Sequence, residues 1–196
     1  DAYVSALTAQ LAAWRERTAD CTVDTVYFGG GTPSYLGPDC LCRLLDAVFQ
    51  SYRVAPGAEI TLEANPDVVT PETLRGFRAA GVTRISFGVQ SADDAQLRRL
   101  GRTHTAAGAS QALAWAREAG FPEICGDIML ALPHYTEAEF DETLELIEGG
   151  GATHISAYLL KIEPDSAFGK HPPEGLPTGD EAADFYLYAV EQLEHH

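Results

Sequence analysis

Apolar and polar positions along the chain alternate between a helical period and short β-rich runs. The predicted helices cover about residues 2–17, 38–52, 70–81, 96–100, 105–119, 136–148 and 180–193, and the predicted strands cover 22–28, 59–63, 82–90, 124–130 and 154–160. Strands and helices that follow one another in turn predict an α/β fold with a parallel sheet and helices outside it.

The strand interiors favour a closed barrel over an open sheet. In the predicted strand 82–90, Ile85, Phe87 and Val89 alternate with polar or small residues. A sheet covered by helices on both faces reads as a nearly continuous apolar run, whereas these strands have one apolar and one polar face. The five strands therefore predict a partial TIM-like (β/α) barrel with a polar lumen.

Polar residues recur where successive predicted strands end, which is the edge at which barrel enzymes build their sites. They are the segment Gly29–Thr32, Glu63, Gln90, Asp127 and the segment Tyr158–Lys161. Because the carboxyl ends of parallel strands meet at one edge, we expect these residues to share a ligand.

Their chemistry suits a zwitterionic ligand that carries hydroxyl groups. Glycines let backbone groups approach closely, because no Cβ intervenes. Glu63 accepts from an ammonium group, and Gln90 both donates and accepts. Arg102 holds a carboxylate through two parallel bonds. Asp127 binds hydroxyls or a cation, so an alternative stays open in which Glu63 and Asp127 serve as acid and base or hold a divalent metal.

The acidic composition of the chain argues against nucleic acid and anionic membranes as partners. Lysine and arginine number 13 against 29 acidic residues, for a net charge of −16 in 196 residues. Such a surface repels nucleic acid and anionic lipid headgroups, so neither is expected as a partner. No apolar run reaches membrane-spanning length and no signal peptide is visible, so a cytoplasmic location is expected.

The cysteines predict no disulfide or metal site, and the chain ends predict a truncated domain. Cys21, Cys40, Cys42 and Cys125 lack the spacing of a disulfide framework, a zinc site or an iron–sulfur site. All four are expected to be ordinary reduced thiols, and no metal site is predicted on this chain. Residues 1–193 are expected to form a barrel core truncated at both ends, and residues 194–196 resemble the start of a purification tag.

Six segments in order along the chain resemble those of one protein family. They read YFGGGTPS at 27–34, ITLEANP at 60–66, RISFGVQS at 84–91, LGRTHT at 100–105, GDIMLALP at 126–133 and HISAY at 154–158. This series is similar to the radical S-adenosylmethionine (SAM) superfamily, in the subgroup that contains oxygen-independent coproporphyrinogen oxidase and HemW-type heme chaperones.

The resemblance implies a partial barrel that binds SAM against a [4Fe–4S] cluster, whose reductive chemistry belongs to the cofactors while the protein positions them. The cofactor-binding residues that it implies are Gly30, Gly31, Thr32, Glu63, Gln90, Arg102 and Asp127. The family's Cys-x3-Cys-x2-Cys loop, which follows the first strand, is expected upstream of Asp1. The chain is therefore expected to lack the first strand and to be unable to hold the cluster or cleave SAM by itself.

Within the subgroup, the sequences of several of these segments resemble the heme chaperone more than the oxidase that converts coproporphyrinogen III to protoporphyrinogen IX. The implied partners are then SAM, heme or porphyrin, and a heme-acceptor protein. Lys161 stands where the oxidase has a small residue, which argues against a second SAM at that point. Candidate heme-iron ligands are His104, His134, His154 and His171, of which His134, on a loop after a strand, is placed best to approach a ligand.

Overall fold

The computed structural model describes residues 2–195 and contains five strands and eight helices. The strands are β1 (Val23–Phe28), β2 (Val54–Ala64), β3 (Arg84–Gln90), β4 (Glu123–Leu130) and β5 (His154–Leu159). The helices are α1 (Ala2–Trp14), α2 (Gly37–Ser51), α3 (Pro71–Ala80), α4 (Asp94–Arg99), α5 (Ala106–Glu118), α6 (Glu137–Gly149), α7 (Ala167–Lys170) and α8 (Gly179–His195). Short 3₁₀ helices cover Glu16–Thr18 and Pro33–Leu36.

The five strands form one sheet in the order β1-β2-β3-β4-β5, and every neighbouring pair is parallel. Parallel strands in sequential order, with a helix in each connection between neighbours, are the arrangement of a (β/α) barrel. With five strands, the sheet forms a half-barrel. The predicted α/β partial barrel is therefore confirmed.

The two faces of the sheet divide as the alternation predicts. On β3, Ile85, Phe87 and Val89 are fully buried and belong to the main hydrophobic core with residues of α3, α5 and α6. Their neighbours Ser86 and Gln90 lie on the concave face, where they line a polar cavity. The helices therefore cover the convex face, and the concave face carries the polar groups.

Local capping residues set where the helices begin. Thr70, Thr105 and Thr136 each accept a hydrogen bond from a backbone N–H in the first turn of the helix that follows. Such caps satisfy donors that have no partner within the helix. Gly81 ends α3 in the left-handed conformation, with φ of 111°, as the sequence predicts.

Three local features differ from the sequence-based prediction. Strand β2 begins at Val54 rather than residue 59, because its first residues pair with β1 across a register shift near Val23. Pro33–Leu36 and α7 are short helices that periodicity does not detect. Helix α1 ends at Trp14 rather than residue 17, because the chain continues as the 3₁₀ helix Glu16–Thr18.

Among residues 2–195, no helix combines the length and apolar character that a membrane crossing requires. The division into a barrel core at 1–193 and a tag remnant at 194–196 stays a prediction.

Candidate functional site

A polar cavity of about 250 Å³ opens on the concave face at the carboxyl ends of the strands. Its lining comes from strands β2 to β5, from the loops that follow β1 and β2, and from the connection between α4 and α5: Gly31, Thr32, Glu63, Ala64, Asn65, Ser86, Gly88, Gln90, Arg102, Asp127 and Tyr158. Six of the seven residues predicted to bind a cofactor therefore meet in one place, and the seventh, Gly30, bonds to one of them.

Glu63 anchors the glycine-rich loop. Its Oε1 accepts a 2.7 Å hydrogen bond from the hydroxyl of Tyr27, and its Oε2 accepts a 3.1 Å bond from the backbone N–H of Gly30. Burial, together with this hydrogen bond and the charge of Glu63, raises the pKa of Tyr27 to about 12, so the phenol stays a donor at neutral pH. The carboxylate is thereby held at the cavity as an acceptor for a cationic or hydroxyl group.

Asn65 connects two loops at the rim of the same cavity. Its Nδ2 donates to Oγ1 of Thr32 at 3.3 Å, and its Oδ1 accepts from Nη1 of Arg102 at 3.2 Å. With one guanidinium nitrogen held in this way, the remaining donors of Arg102 are available to a ligand carboxylate.

Gln90 occupies an unusual backbone position at the end of β3. Its φ is 72°, in the left-handed region, and the residue is 2% exposed. Its Oε1 accepts a 2.7 Å bond from the hydroxyl of Tyr158 on β5. Residues held in sparsely populated backbone conformations cluster at functional sites, where the surrounding structure compensates the strain.

Gly88 leaves the space that these side chains occupy. A Cβ at this position would lie 3.0 Å from Nε2 of Gln90, 3.4 Å from Oδ1 of Asn65 and 3.6 Å from Nη1 of Arg102. The absence of a side chain therefore lets three polar groups from different segments converge.

Asp127 lies deeper in the lumen. Its Oδ1 accepts a 3.1 Å bond from the hydroxyl of Ser86. Burial raises the pKa of the Asp127 carboxyl, the Ser86 hydrogen bond opposes that rise, and the charge of Glu63 adds to it. The surroundings of Asp127 therefore disfavour its ionised form.

Several residues of the cavity were not predicted to bind the ligand. Asn65, Ser86 and Gly88 lie within the family-like segments of the sequence, and Tyr158 begins the predicted strand-end segment Tyr158–Lys161. Asn65 lies two positions from Glu63, and Ser86 and Gly88 lie at even spacing from Gln90. Because alternate residues of a strand share one face, this spacing is the sequence signal that places them in the cavity. Lys161 lies apart from the cavity, exposed and paired with Glu163 at 2.6 Å.

A larger cavity of about 490 Å³ lies beside β1, between α1 and α2. Its walls are mainly apolar side chains of α1, β1 and α2, and it meets the glycine loop at Gly29 and Gly30. We assign the ligand site to the smaller cavity, because convergent polar groups, not volume, fix the orientation of a zwitterionic ligand.

Within the part of the chain that the structure describes, no three His, Cys, Asp or Glu side chains gather as a metal site. Of the free cysteines, Cys21 and Cys42 are exposed, Cys40 is half-buried and Cys125 is buried in the lumen. The arrangement offers no cluster ligation to a [4Fe–4S] group. Glu63 and Asp127 accept hydrogen bonds from this chain and keep further lone pairs, so the alternative in which they act as acid and base or hold a divalent metal stays a prediction.

Comparison with known proteins gives a consistent result. Residues 8–147 match the family model described as the Radical SAM superfamily. The chain is 37% identical over 181 residues to the heme chaperone HemW of Haemophilus influenzae, covering 92% of the chain and 47% of that relative. It is 39% identical over 164 residues to the heme chaperone HemW of Escherichia coli, covering 84% of the chain and 43% of the relative.

Among solved structures, coproporphyrinogen III oxidase (HemN) from Escherichia coli, a radical SAM enzyme by its description, aligns with a TM-score of 0.87 at 26% identity. The alignment covers 100% of this chain and 45% of the oxidase chain. The chain thus spans less than half the length of these three proteins.

Proposed function

The chain belongs to the radical SAM superfamily, and from this premise we propose that it forms the SAM-binding half-barrel of a HemW-type heme chaperone. The observation that carries the proposal is the convergence of Glu63, Gln90, Arg102 and Asp127 in one polar cavity at the carboxyl ends of the strands. Similarity to HemW proteins over most of the chain supports the chaperone within the superfamily.

The donors and acceptors of the cavity fit the zwitterionic end of SAM. We assign the methionine carboxylate to Arg102, whose guanidinium is already oriented by Asn65. The ammonium group is assigned to Glu63, and the backbone of Gly31 and Thr32 would line the methionine chain. Gln90 and Asp127 are assigned to the ribose hydroxyls and the adenine amino group of the ligand.

SAM bound against a [4Fe–4S] cluster supplies reductive radical chemistry, and the protein supplies position and electrostatics. Residues 2–195 do not gather the ligands of such a cluster. We therefore assign its cysteine ligands to a segment outside this chain, and expect the chain alone neither to hold the cluster nor to cleave SAM. Its own residues bind, orient and enclose the SAM molecule.

We propose further that the intact protein works in heme or porphyrin metabolism in the cytoplasm, binding heme and passing it to an acceptor protein. Heme is named in the descriptions of the HemW relatives. The net charge of −16 argues against nucleic acid as a partner, since phosphate binding rests on basic residues.

A second candidate is an oxygen-independent coproporphyrinogen III oxidase, a SAM-dependent dehydrogenase. The specific observation in its favour is the TM-score of 0.87 to the Escherichia coli oxidase. The chaperone is preferred because identity to the two HemW proteins, at 37% and 39%, exceeds the 26% identity to the oxidase.

One experiment separates the two. The intact protein, reconstituted with its cluster under anaerobic conditions, receives SAM, a strong reductant and coproporphyrinogen III, and products are followed by mass spectrometry. A chaperone gives no protoporphyrinogen IX and binds hemin. Protoporphyrinogen IX formed over many turnovers would establish the oxidase instead. The iron and sulfide content, measured in parallel, shows whether the protein carries its [4Fe–4S] cluster.

A further inference from the structure

The end of β3 contains a tight turn that a regular strand does not form. The backbone N–H of Ser91 donates a 3.0 Å hydrogen bond to the carbonyl of Val89, and Gln90 between them has a φ of 72°. This combination is a γ-turn with a positive central φ, which is rare and strained. The register with β4 also shifts between Phe87 and Gln90, as in a bulge that redirects a side chain beside a site. The turn therefore needs support from outside the strand.

This support comes from His104, on the connection between α4 and α5. Its Nε2 lies 3.1 Å from the carbonyl oxygen of Val89, the same oxygen that closes the γ-turn. A carbonyl oxygen only accepts hydrogen bonds, so Nε2 carries a proton and donates it. The turn is therefore held by two donors on one carbonyl, one from the backbone of Ser91 and one from this imidazole.

The imidazole makes this contact away from solvent. His104 is 6% exposed, and Val89 is fully buried. Burial lowers the pKa of His104, and its bond to the Val89 carbonyl opposes this shift. The charge of Arg102 lowers the pKa further, and the charges of Asp67 and Asp94 raise it. With its pKa below the ordinary value, His104 is an uncharged donor at neutral pH, in surroundings where loss of the bond leaves a buried carbonyl short of a partner.

The segment that carries His104 also carries a residue of the polar cavity. Arg102, two positions earlier, lines the cavity and bonds to Asn65. Thr105 directly follows His104 and caps α5, which fixes the end of the segment. One short connection therefore places a cation in the cavity and supports the turn that holds Gln90 there.

The other histidines considered as heme ligands are placed differently. His154 begins β5, at the opposite end of the strand from Tyr158 and the polar cavity. His134, on the loop after β4, and His171, directly after α7, are exposed, as is His154. These three stay candidates for the heme iron, whereas Nε2 of His104 already has a partner within the chain.

We propose that His104 is a positioning residue for SAM, which holds the γ-turn at Gln90 so that the Gln90 carboxamide faces the polar cavity. The inference rests on the proposed function and adds a residue that acts on the ligand through another one. Tyr158 orients the same carboxamide directly, through its 2.7 Å bond to Oε1. His104 supports it from the backbone, so the two contacts together define where the Nε2 donor of Gln90 lies.

The test compares replacements of His104 by the SAM affinity of the cluster-loaded intact protein, measured by calorimetry. His104→Gln keeps an uncharged side-chain N–H that reaches the Val89 carbonyl, so it should bind SAM like the wild type. His104→Leu fills the space without a donor, and its SAM affinity should fall about tenfold. His104→Asn gives the same contrast in a variant that stays polar, because its amide is one methylene shorter than that of glutamine.

A double-variant cycle with Gln90→Ala tests whether His104 acts through Gln90. Without the carboxamide, the turn has no polar side chain to position, so His104→Leu should cause no further loss of SAM affinity in that background. The coupling between the two changes should then nearly equal the whole effect of His104→Leu. An equal loss in both backgrounds is the result of a purely structural role, and it would overturn the proposal.

Gln96→Leu is the matched control. Gln96 is 1% exposed, and its Nε2 donates a 2.9 Å hydrogen bond to the carbonyl of Pro133, outside the polar cavity. The change removes the same kind of buried bond, so it should lower the unfolding midpoint and leave SAM affinity unchanged.

The outcomes separate this inference from the proposed function. If the wild type binds SAM and both His104→Leu and His104→Asn bind it equally well, the positioning role is wrong and the SAM-binding proposal stands. If the wild type with its cluster loaded binds no SAM, the proposed function fails and the positioning role fails with it.

Discussion

The hydroxyl of Tyr158 donates a 2.7 Å hydrogen bond to Oε1 of Gln90, which joins β5 to the irregular end of β3. This bond fixes the carboxamide so that its Nε2 points towards the space above Gly88. The strained backbone of Gln90 and its partner together place one donor in the polar cavity.

Tyr158→Phe should therefore weaken SAM binding while the fold is kept. The change leaves the buried Oε1 of Gln90 without its partner, at a cost of about 1–3 kcal/mol. In a domain of this size we expect the unfolding midpoint to fall by ~2–4 °C per kcal/mol. Calorimetry of SAM binding to the cluster-loaded intact protein measures the affinity. Unchanged affinity together with a lower midpoint would make the bond structural only.

The contact between Asn65 and Arg102 predicts energetic coupling in SAM binding. Asn65→Ala frees the guanidinium from its 3.2 Å bond, so Arg102 must be ordered by the ligand at an entropic cost. Asn65→Ala and Arg102→Ala should each bind SAM more weakly. The double variant should lose less binding free energy than the sum of the two single losses. A coupling energy of about 0.5–1.5 kcal/mol is expected, in the range measured for residues in contact.

The matched control for this cycle pairs Asn65→Ala with Arg78→Ala. Arg78 bonds to the carbonyls of Val82 and Gly120, away from the cavity. These two changes should be additive within about 0.5 kcal/mol. Additivity of the Asn65 and Arg102 variants as well would show that Asn65 does not orient the guanidinium for SAM.

Gly88→Ala tests whether the open space between the strand ends is needed. The added Cβ would lie 3.0 Å from Nε2 of Gln90, close enough to displace the amide. We expect SAM affinity to fall about tenfold with a change in stability below ~1 kcal/mol, since no backbone atom is obstructed. Gly149→Ala, at the exposed end of α6 with no heavy atom within 4 Å, should bind SAM normally and gain about 0.5–1 kcal/mol.

The sequence predicts the order of elements well because each element has its own local signal. Thr70, Thr105 and Thr136 mark helix starts by capping chemistry that involves only the next three residues. The site edge was predictable for a related reason, since parallel strands bring their carboxyl ends together whatever their separation in sequence. Glu63, Gln90 and Asp127 were found in this way.

What the sequence does not predict are the pairings within the site. Asn65 reaches Arg102 across 37 positions and Tyr158 reaches Gln90 across 68, and no local period specifies such partners. The positive φ of His134 is also not predictable from the sequence, because its backbone N–H bonds to the carbonyl of Gly175, a partner 41 positions away. Both depend on how distant segments pack.

Asp127→Asn gives a pH-dependent prediction. Burial raises the pKa of Asp127 in the folded protein, so between its unfolded and folded pKa the native state binds more protons than the unfolded state. Stability should therefore fall as pH rises through this window and stay lowered above it. Asparagine carries no such penalty and can still accept the Ser86 bond through its Oδ1.

The variant should then have the higher unfolding midpoint at pH 7–8, well above the ordinary pKa of an aspartate, and the difference in midpoint should shrink as pH approaches about 4, near that ordinary value. Thermal unfolding of the intact protein across this range measures it, and Asp180→Asn, exposed at the start of α8, serves as the control. A difference that is constant with pH would show that the buried carboxyl bears no ionisation penalty. A midpoint that rises at neutral pH while SAM affinity falls would mean that the protein keeps an unfavourable buried charge for its ligand.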